Sequence, residues 1–235
     1  MYKEFSTHSR SSSLKDIIVY HEKKEKMTHK VLNDINFNVE KGKVLGIIGR
    51  NGSGKSTMLK LLTKILRPNG GTIETDGKIA CLIELGAGFH PDMTGRENVY
   101  INASIFGIPK RTIDERYQTI LDFSGIGDHI NERVRNYSSG MYLRLAFSVA
   151  INVDADILLV DEILAVGDIQ FQRKCLNRLR EFKDGGGTIV LVTHSTDQAR
   201  MMCDDVIWID EGHIREYGNP KTVCDHYTET LLNEE

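Results

Sequence analysis

No stretch of this chain approaches the roughly 20 consecutive apolar residues that a bilayer-spanning helix needs, and its N-terminus has no apolar core of a secretory signal. The sequence therefore reads as soluble or membrane-peripheral. Cysteine is sparse and scattered: Cys81, Cys175, Cys203 and Cys224 form neither a C-x-x-C pair nor a metal-ligand spacing. That excludes a disulfide framework and points to reduced, structural thiols in a cytosolic protein. An excess of one charge is missing as well. Thirty basic residues stand against 33 acidic ones, for a formal net charge of -3, so no general attraction to nucleic acid or anionic lipid follows, and any such contact must be local. There is no internal repeat and no low-complexity tract. What remains is a chain of 235 residues, 40% hydrophobic, long enough for one large domain with a proper core.

The stretch GRNGSGKST at 49–57 organises the rest. It follows the apolar run Val44, Leu45, Gly46, Ile47, Ile48 and precedes Met58, Leu59, Lys60, Leu61, Leu62, so strand, glycine loop and helix occur in the order that gives G-x-x-x-x-G-K-[ST] its meaning. Gly49, Gly52 and Gly54 free the backbone so that successive N–H groups, those of Asn51 and Ser53 among them, converge on one anion. The helix N-terminus adds positive potential. Lys55 is placed to reach the β- and γ-phosphates, Ser56 offers a hydroxyl to Mg²⁺, and Thr57 is a further phosphate contact. A second apolar strand, ILLVDE at 157–162, ends in two carboxylates. In a parallel sheet such ends converge on the ligand crevice, so Asp161 approaches Mg²⁺ from the side opposite Ser56, while Glu162 holds the attacking water as general base. Mg-ATP hydrolysis is the chemistry these two motifs share.

Around them the pattern predicts a mixed α/β core with a β-rich edge. Residues 1–5 form the tail of a strand, and residues 11–18, with Ser11, Ser12, Ser13, Leu14, Ile17 and Ile18, form a capped amphipathic helix. Residues 21–30 read as a structure-poor connector. The first long helix runs to Asn69, Gly70 and Gly71, and short strands follow at 72–75 and 79–83. Helical patterns at 97–106, 113–123 and 141–152 look like an insertion, about 92–153, between two halves of one sheet. The sheet resumes at 157–160 and 188–192 with a crossover helix at 170–183. A strand, a hairpin turn at Glu211-Gly212, a return strand and a final helix close the chain, and the whole of 1–235 is expected to be one nucleotide-binding domain.

Two further pieces carry a resemblance. Tyr137-Ser138-Ser139-Gly140-Met141 stands before the helix that precedes the second motif, and His194 follows the strand at 189–193. Over essentially its whole length the sequence resembles the ATP-binding-cassette family of P-loop NTPases, whose signature LSGGQ and switch histidine occupy those places. Ser139 and Gly140 match the signature, Ser138 stands where the family generally has serine, and Met141 replaces glutamine, so the first signature glycine is serine here. The resemblance implies an ATPase in which two copies pack head to tail, Ser139 and Gly140 of one copy holding the γ-phosphate bound by the other's loop. It also implies that His194 senses that phosphate, that Asp168 crosses the same interface, and that one aromatic near the first strand, Phe5 or Tyr20, stacks on adenine. Between Gly77 and Gly95 the family usually carries a glutamine that touches Mg²⁺. This segment has none, and Glu84 is the candidate for its place, or Leu85 if the correspondence takes a one-residue gap.

The loop ELGAGF at 84–89, the YSSGM signature and the serine-rich N-terminal helix together look like a narrower group: ATP-binding subunits that export lipid-linked polysaccharides such as O-antigen, capsule-like glycans and teichoic acid. That resemblance implies a separate transmembrane permease, a lipid-linked glycan as transported substrate and a peripheral place on the cytoplasmic face of the inner membrane. Some members of the group continue into a carbohydrate-binding β-sandwich; no such domain is expected within these 235 residues, which read either as the shorter branch or as a chain cut at the linker. The alternatives are a cassette that drives another transport substrate, or one that acts on nucleic acid. The absence of a basic stripe and of a long coiled-coil insertion speaks against the second.

Overall fold

Strands that are buried on both faces lose the alternation of polar and apolar residues and become continuous apolar runs. Three such runs form the centre of the computed structural model, which describes residues 1–7, 27–82, 85–161 and 167–233. β3 (Val44–Ile48) and β6 (Thr188–Val192) are buried at every position, and β5 (Ile157–Val160) at all but its first. They lie side by side in a six-stranded sheet of order β4-β5-β6-β3-β7-β8, in which β4 (Ile79–Cys81) and β7 (Asp205–Asp210) extend the parallel part and β8 (His213–Gly218) returns antiparallel. A separate antiparallel ribbon pairs β1 (Lys3–Thr7) with β2 (Met27–Leu32). The protein is thus an α/β fold with a mixed sheet and an antiparallel edge.

Successive strand residues point to opposite sides, and the core divides accordingly. Leu158, Val160, Ile189 and Leu191 pack with Phe147 and Phe171 on one face. Leu159, Val190, Val192, Leu45 and Ile47 pack with Met58, Leu59 and Leu61 of α1 (Lys55–Leu62) on the other. The helices α2 (Gly95–Ile105), α3 (Lys110–Ser124) and α4 (Ser139–Ala150) enclose a core of their own around Val99, Ala103, Ile113, Ile120, Leu145 and Val149. α4 serves both cores through Phe147 and Ala150, which face the sheet, and α3 joins it at its end, where Phe123 meets the rings of Phe147 and Phe171. α5 (Ile169–Asp184) crosses between β5 and β6, α6 (Thr196–Met202) follows β6, and α7 (Pro220–Asn233) closes on Trp208 through Val223, Cys224 and Tyr227.

Several sequence expectations change. The helix after the glycine loop stops at Leu62, far short of Gly70. Thr63 turns its hydroxyl back onto the carbonyls of Leu59 and Lys60, and Lys64 takes a left-handed φ of 62°, an arrangement that competes with helix propagation. Beyond it, residues 69 and 70 bond to the backbone of Tyr2, so the N-terminal ribbon takes the place of a further helical turn. No strand forms at 72–75, and β4 is three residues long. The end of the expected connector 21–30 is instead β2. α6 had not been expected; its signal is Ser195-Thr-Asp-Gln198, an S-x-x-Q start in which Ser195 Oγ accepts from the Gln198 N–H. The amphipathic helix at 11–18 and Tyr20 fall outside the described residues. Among the described residues no helix is long and apolar enough to cross a membrane.

Candidate nucleotide site

The loop between β3 and α1 leaves the middle of the sheet at the carboxyl ends of the parallel strands, where α/β folds bind ligands. Its shape is imposed from outside as well as within. A Cβ on Gly49 would lie 2.2 Å from the Ile209 carbonyl of β7, and one on Gly54 would lie 2.6 Å from Leu32 of β2. Gly54 also has φ of 110° as it enters α1. The loop is therefore wedged between the sheet and the ribbon, at a backbone geometry that side chains rarely adopt. No side chain caps α1 and no acidic residue lies in its first turn, which keeps the positive end of the helix available to an anion.

Lys55 is 6% exposed, and its Nζ donates to the carbonyls of Gly49 at 2.7 Å and Arg50 at 3.0 Å. The ammonium thus lies across the mouth of its own loop. Ser53 is 5% exposed and its Oγ has no hydrogen-bond partner among the described residues, an orphan that a buried polar group rarely is without reason. Asn51, Gly52 and Ser56 are exposed and Thr57 half-buried. A cradle of backbone donors, a buried lysine and an unanswered hydroxyl fit a polyphosphate.

Strand register brings the second motif to the same edge. Val160 pairs with Leu191, and Val192 pairs with Ile47, so Asp161 sits at the strand end two strands over from the start of the loop, about 10 Å at ordinary strand spacing. His194 follows β6 between them and is exposed, while Thr193 N donates to Ile47 O at 3.1 Å. Glu162 and Glu84 lie outside the described residues. Phe5 is 39% exposed, with Lys3 Nζ 5.2 Å from its ring centre. It faces His29, three residues along β2 from the Leu32 that touches Gly54. The ribbon therefore carries Phe5 beside the loop, at about 10 Å of strand length.

The signature residues lie elsewhere, at the start of α4. Ser138 is its N-cap, with Oγ accepting from Met141 N at 3.2 Å; Ser138 and Ser139 are exposed and no acidic residue lies in the first turn. Asp168 caps α5, its Oδ1 accepting from Phe171 N at 2.8 Å. Arg144 of α4 links the two helix starts, its guanidinium 5.1 Å from the Phe171 ring centre and 3.9 Å from Asp168 Oδ2. Sequence reasoning missed this link, although an arginine six residues after a capping serine on an apolar-backed helix was a visible signal.

The cysteines do not enter the site. Burial pushes the thiols of Cys175 and Cys203 up to about 12, which leaves them protonated and unreactive at neutral pH. All four are free. A cavity of about 1180 Å³ lies under residues 35–39 and 72–77 and is lined by none of the residues of the loop, the strand ends or the signature.

Comparison with known proteins agrees with this arrangement. The ABC transporter family profile matches residues 32–165. The O-antigen export system ATP-binding protein RfbB of Myxococcus xanthus is 52% identical over 85% of this chain and 46% of its own length. Its namesake in Klebsiella pneumoniae is 42% identical over 95% of this chain and 93% of its own. The teichoic acids export ATP-binding protein TagH of Bacillus anthracis is 40% identical over 93% of this chain; the present chain thus spans under half of two of these relatives and nearly all of the third. Among solved structures, the ATP-binding subunit of an ABC transporter superposes with a TM-score of 0.75 at 23% identity, over 85% of this chain and 88% of that one, which shows the shared fold. The chain belongs to the ABC transporter family, as one of its ATP-binding cassette ATPases.

Proposed function

We propose that this chain is the ATP-hydrolysing subunit that powers export of a lipid-linked polysaccharide, of the O-antigen, capsule-like or teichoic acid class, through a separate transmembrane subunit. The observation that carries the ATPase part is the phosphate cradle itself, with Lys55 folded across it and Ser53 Oγ buried without a partner among the described residues. The glycan part is supported by the names borne by relatives that match 85–95% of the chain.

In this reading the N–H groups of residues 49–57 and Lys55 hold the β- and γ-phosphates, and Phe5 or Tyr20 stacks on adenine. Ser56 and Asp161 are the residues that would hold Mg²⁺, with Glu84 as a further candidate; when bound, the ion would neutralise charge on the phosphate oxygens. Glu162 takes the proton of the attacking water, a general-base contribution of about 10²–10⁴-fold. His194 senses the γ-phosphate from the neighbouring strand end. Ser138, Ser139, Gly140 and Met141 act on nucleotide held by a second copy, and Asp168 crosses that interface, so two chains assemble head to tail around two ATP molecules. The dimer docks peripherally on the cytoplasmic face of the membrane.

Purifying the membrane complex with Glu162→Gln, which should retain ATP, tests the assignment. Mass spectrometry finding a polytopic partner and a lipid-linked sugar supports it. A soluble partner or bound nucleic acid would leave the cassette chemistry standing and overturn the export role.

A further inference from the structure

The loop at 85–93 is the chain's passage from the sheet to the helical core, and it is bound almost entirely to the helices. On the sheet side the connection ends at Leu82, whose N–H donates to Leu159 of β5 at 2.8 Å. On the helical side Asn98 and Asn102, four residues apart and so on one face of α2, are 0% and 1% exposed. Asn102 Nδ2 donates to Ala87 O at 2.7 Å, and Asn98 both accepts from His90 N at 2.6 Å and donates to His90 O at 3.1 Å.

Val134 and Arg135 bond to the far end of the loop, at Met93, Pro91 and Asp92, and a tie at its near end comes from α4. Tyr142 Oη donates to Gly86 O at 2.9 Å, and its ring meets Phe89 edge-on with centroids 5.1 Å apart. A Cβ on Gly86 would lie 2.5 Å from Tyr142 Oη and 2.6 Å from the ring, at a φ of 79°, so the tyrosine packs directly on a bare backbone. The backbone of Tyr142 is just as closely tied to the signature: its N–H donates to Ser138 O at 3.0 Å, in the same turn in which Ser138 Oγ receives Met141 N. Burial raises the Tyr142 hydroxyl above its ordinary pKa, which keeps it a donor. One side chain therefore joins the loop leaving the sheet to the helix start that carries Ser138, Ser139 and Gly140.

We propose that Tyr142 is a positioning residue, whose bond to Gly86 makes the loop and the signature end of α4 move as one body, so that a displacement of either reaches the other. The inference rests on the ATPase reading above, since the signature acts only if a second copy's nucleotide meets it. No glutamine stands in this segment, and a backbone carbonyl held by a tyrosine supplies the mechanical link here.

Tyr142→Phe in the full chain tests it, because the ring stays and only the donor goes. Amide hydrogen exchange at 86–90 should quicken by about five- to tenfold, the worth of one ordinary hydrogen bond. kcat for ATP should fall by a similar factor at unchanged KM, with affinity for a non-hydrolysable ATP analogue unaltered. Tyr100→Phe is the control. It removes the Tyr100 Oη donation to Asp114 at 2.7 Å on the outer side of the helices and should leave both readouts alone. Unchanged exchange would show that the tie does not hold the loop, and quickened exchange with unchanged kcat would show a tie without a role in turnover; either overturns the proposal. A wild-type chain that binds the analogue but never turns ATP over, alone or in the membrane complex, would instead count against the ATPase reading.

Discussion

The loop after β3 and the start of α4 are both helix N-termini with no acidic residue in the first turn, yet they are built in opposite ways. The loop is enclosed: Ser53, Gly54 and Lys55 are buried, and the neighbouring strands leave no room for side chains at Gly49 and Gly54. The start of α4 is open, with Ser138 and Ser139 exposed, and it is held from behind by Tyr142 and Arg144. An enclosed cradle can grip an anion with what one chain supplies. An open helix end held rigid from behind is suited to complete a site on another molecule.

The largest expected effect falls on the enclosed site. Lys55→Ala should lower kcat/KM for ATP by at least about 100-fold, as loss of one preorganised charge-stabilising donor typically does, and a loss below about tenfold would mean that the loop does not hold the reacting phosphate. Next comes the support of the open site. Asn98 is fully buried and bonds to four backbone groups through His90, Met93 and Thr94. Asn98→Ala should therefore cost about 2–3 kcal/mol in denaturant unfolding, while leaving ATP-analogue affinity at the loop nearly intact. Parallel loss of both would erase the distinction between the two regions.

A smaller effect separates the two roles of Ser138. Ser138→Ala removes the cap on Met141 N and should cost about 1 kcal/mol of stability; a fall in kcat beyond that of an equally destabilised variant would locate a nucleotide contact there. The smallest is electrostatic and touches neither site. His226 bonds to Glu216 at 2.9 Å, which raises its pKa above the ordinary 6.5. Because the raised value belongs to the folded state, the stabilisation is complete below 6.5 and is lost as pH rises through the folded pKa. His226→Gln should flatten that slope and leave nucleotide binding unchanged.

The sequence made the buried parallel strands and the phosphate loop plain, because continuous apolar runs and the G-x-x-x-x-G-K-S spacing are local signals. It showed the three helices of the inserted core almost to their ends for the same reason. What it hid depends on contacts distant in the chain. The helix after the loop ends early because Thr63 turns back on it and Tyr2 takes the bonds of residues 69 and 70. The strand at the N-terminus was legible, but its partner β2 lies where a connector was expected, across a long intervening segment. Within the site, the motif residues were legible one by one, whereas the links between them, Tyr142 to Gly86 and Arg144 to Asp168, required the packing of α4 against two other elements.

The central claim is that the enclosed loop and the open helix end belong to one site built from two copies. Mixing two inactive variants tests it most directly. Lys55→Ala disables the loop and spares the signature. Ser139→Glu places a carboxylate where the partner's phosphate should lie, at a helix N-terminus that tolerates negative charge, and spares the loop. If the site is shared, an equimolar mixture forms heterodimers with one intact site and shows ATP turnover well above the sum of the separate variants. Turnover no greater than that sum, in a mixture shown by sedimentation to contain heterodimers, would contradict the account.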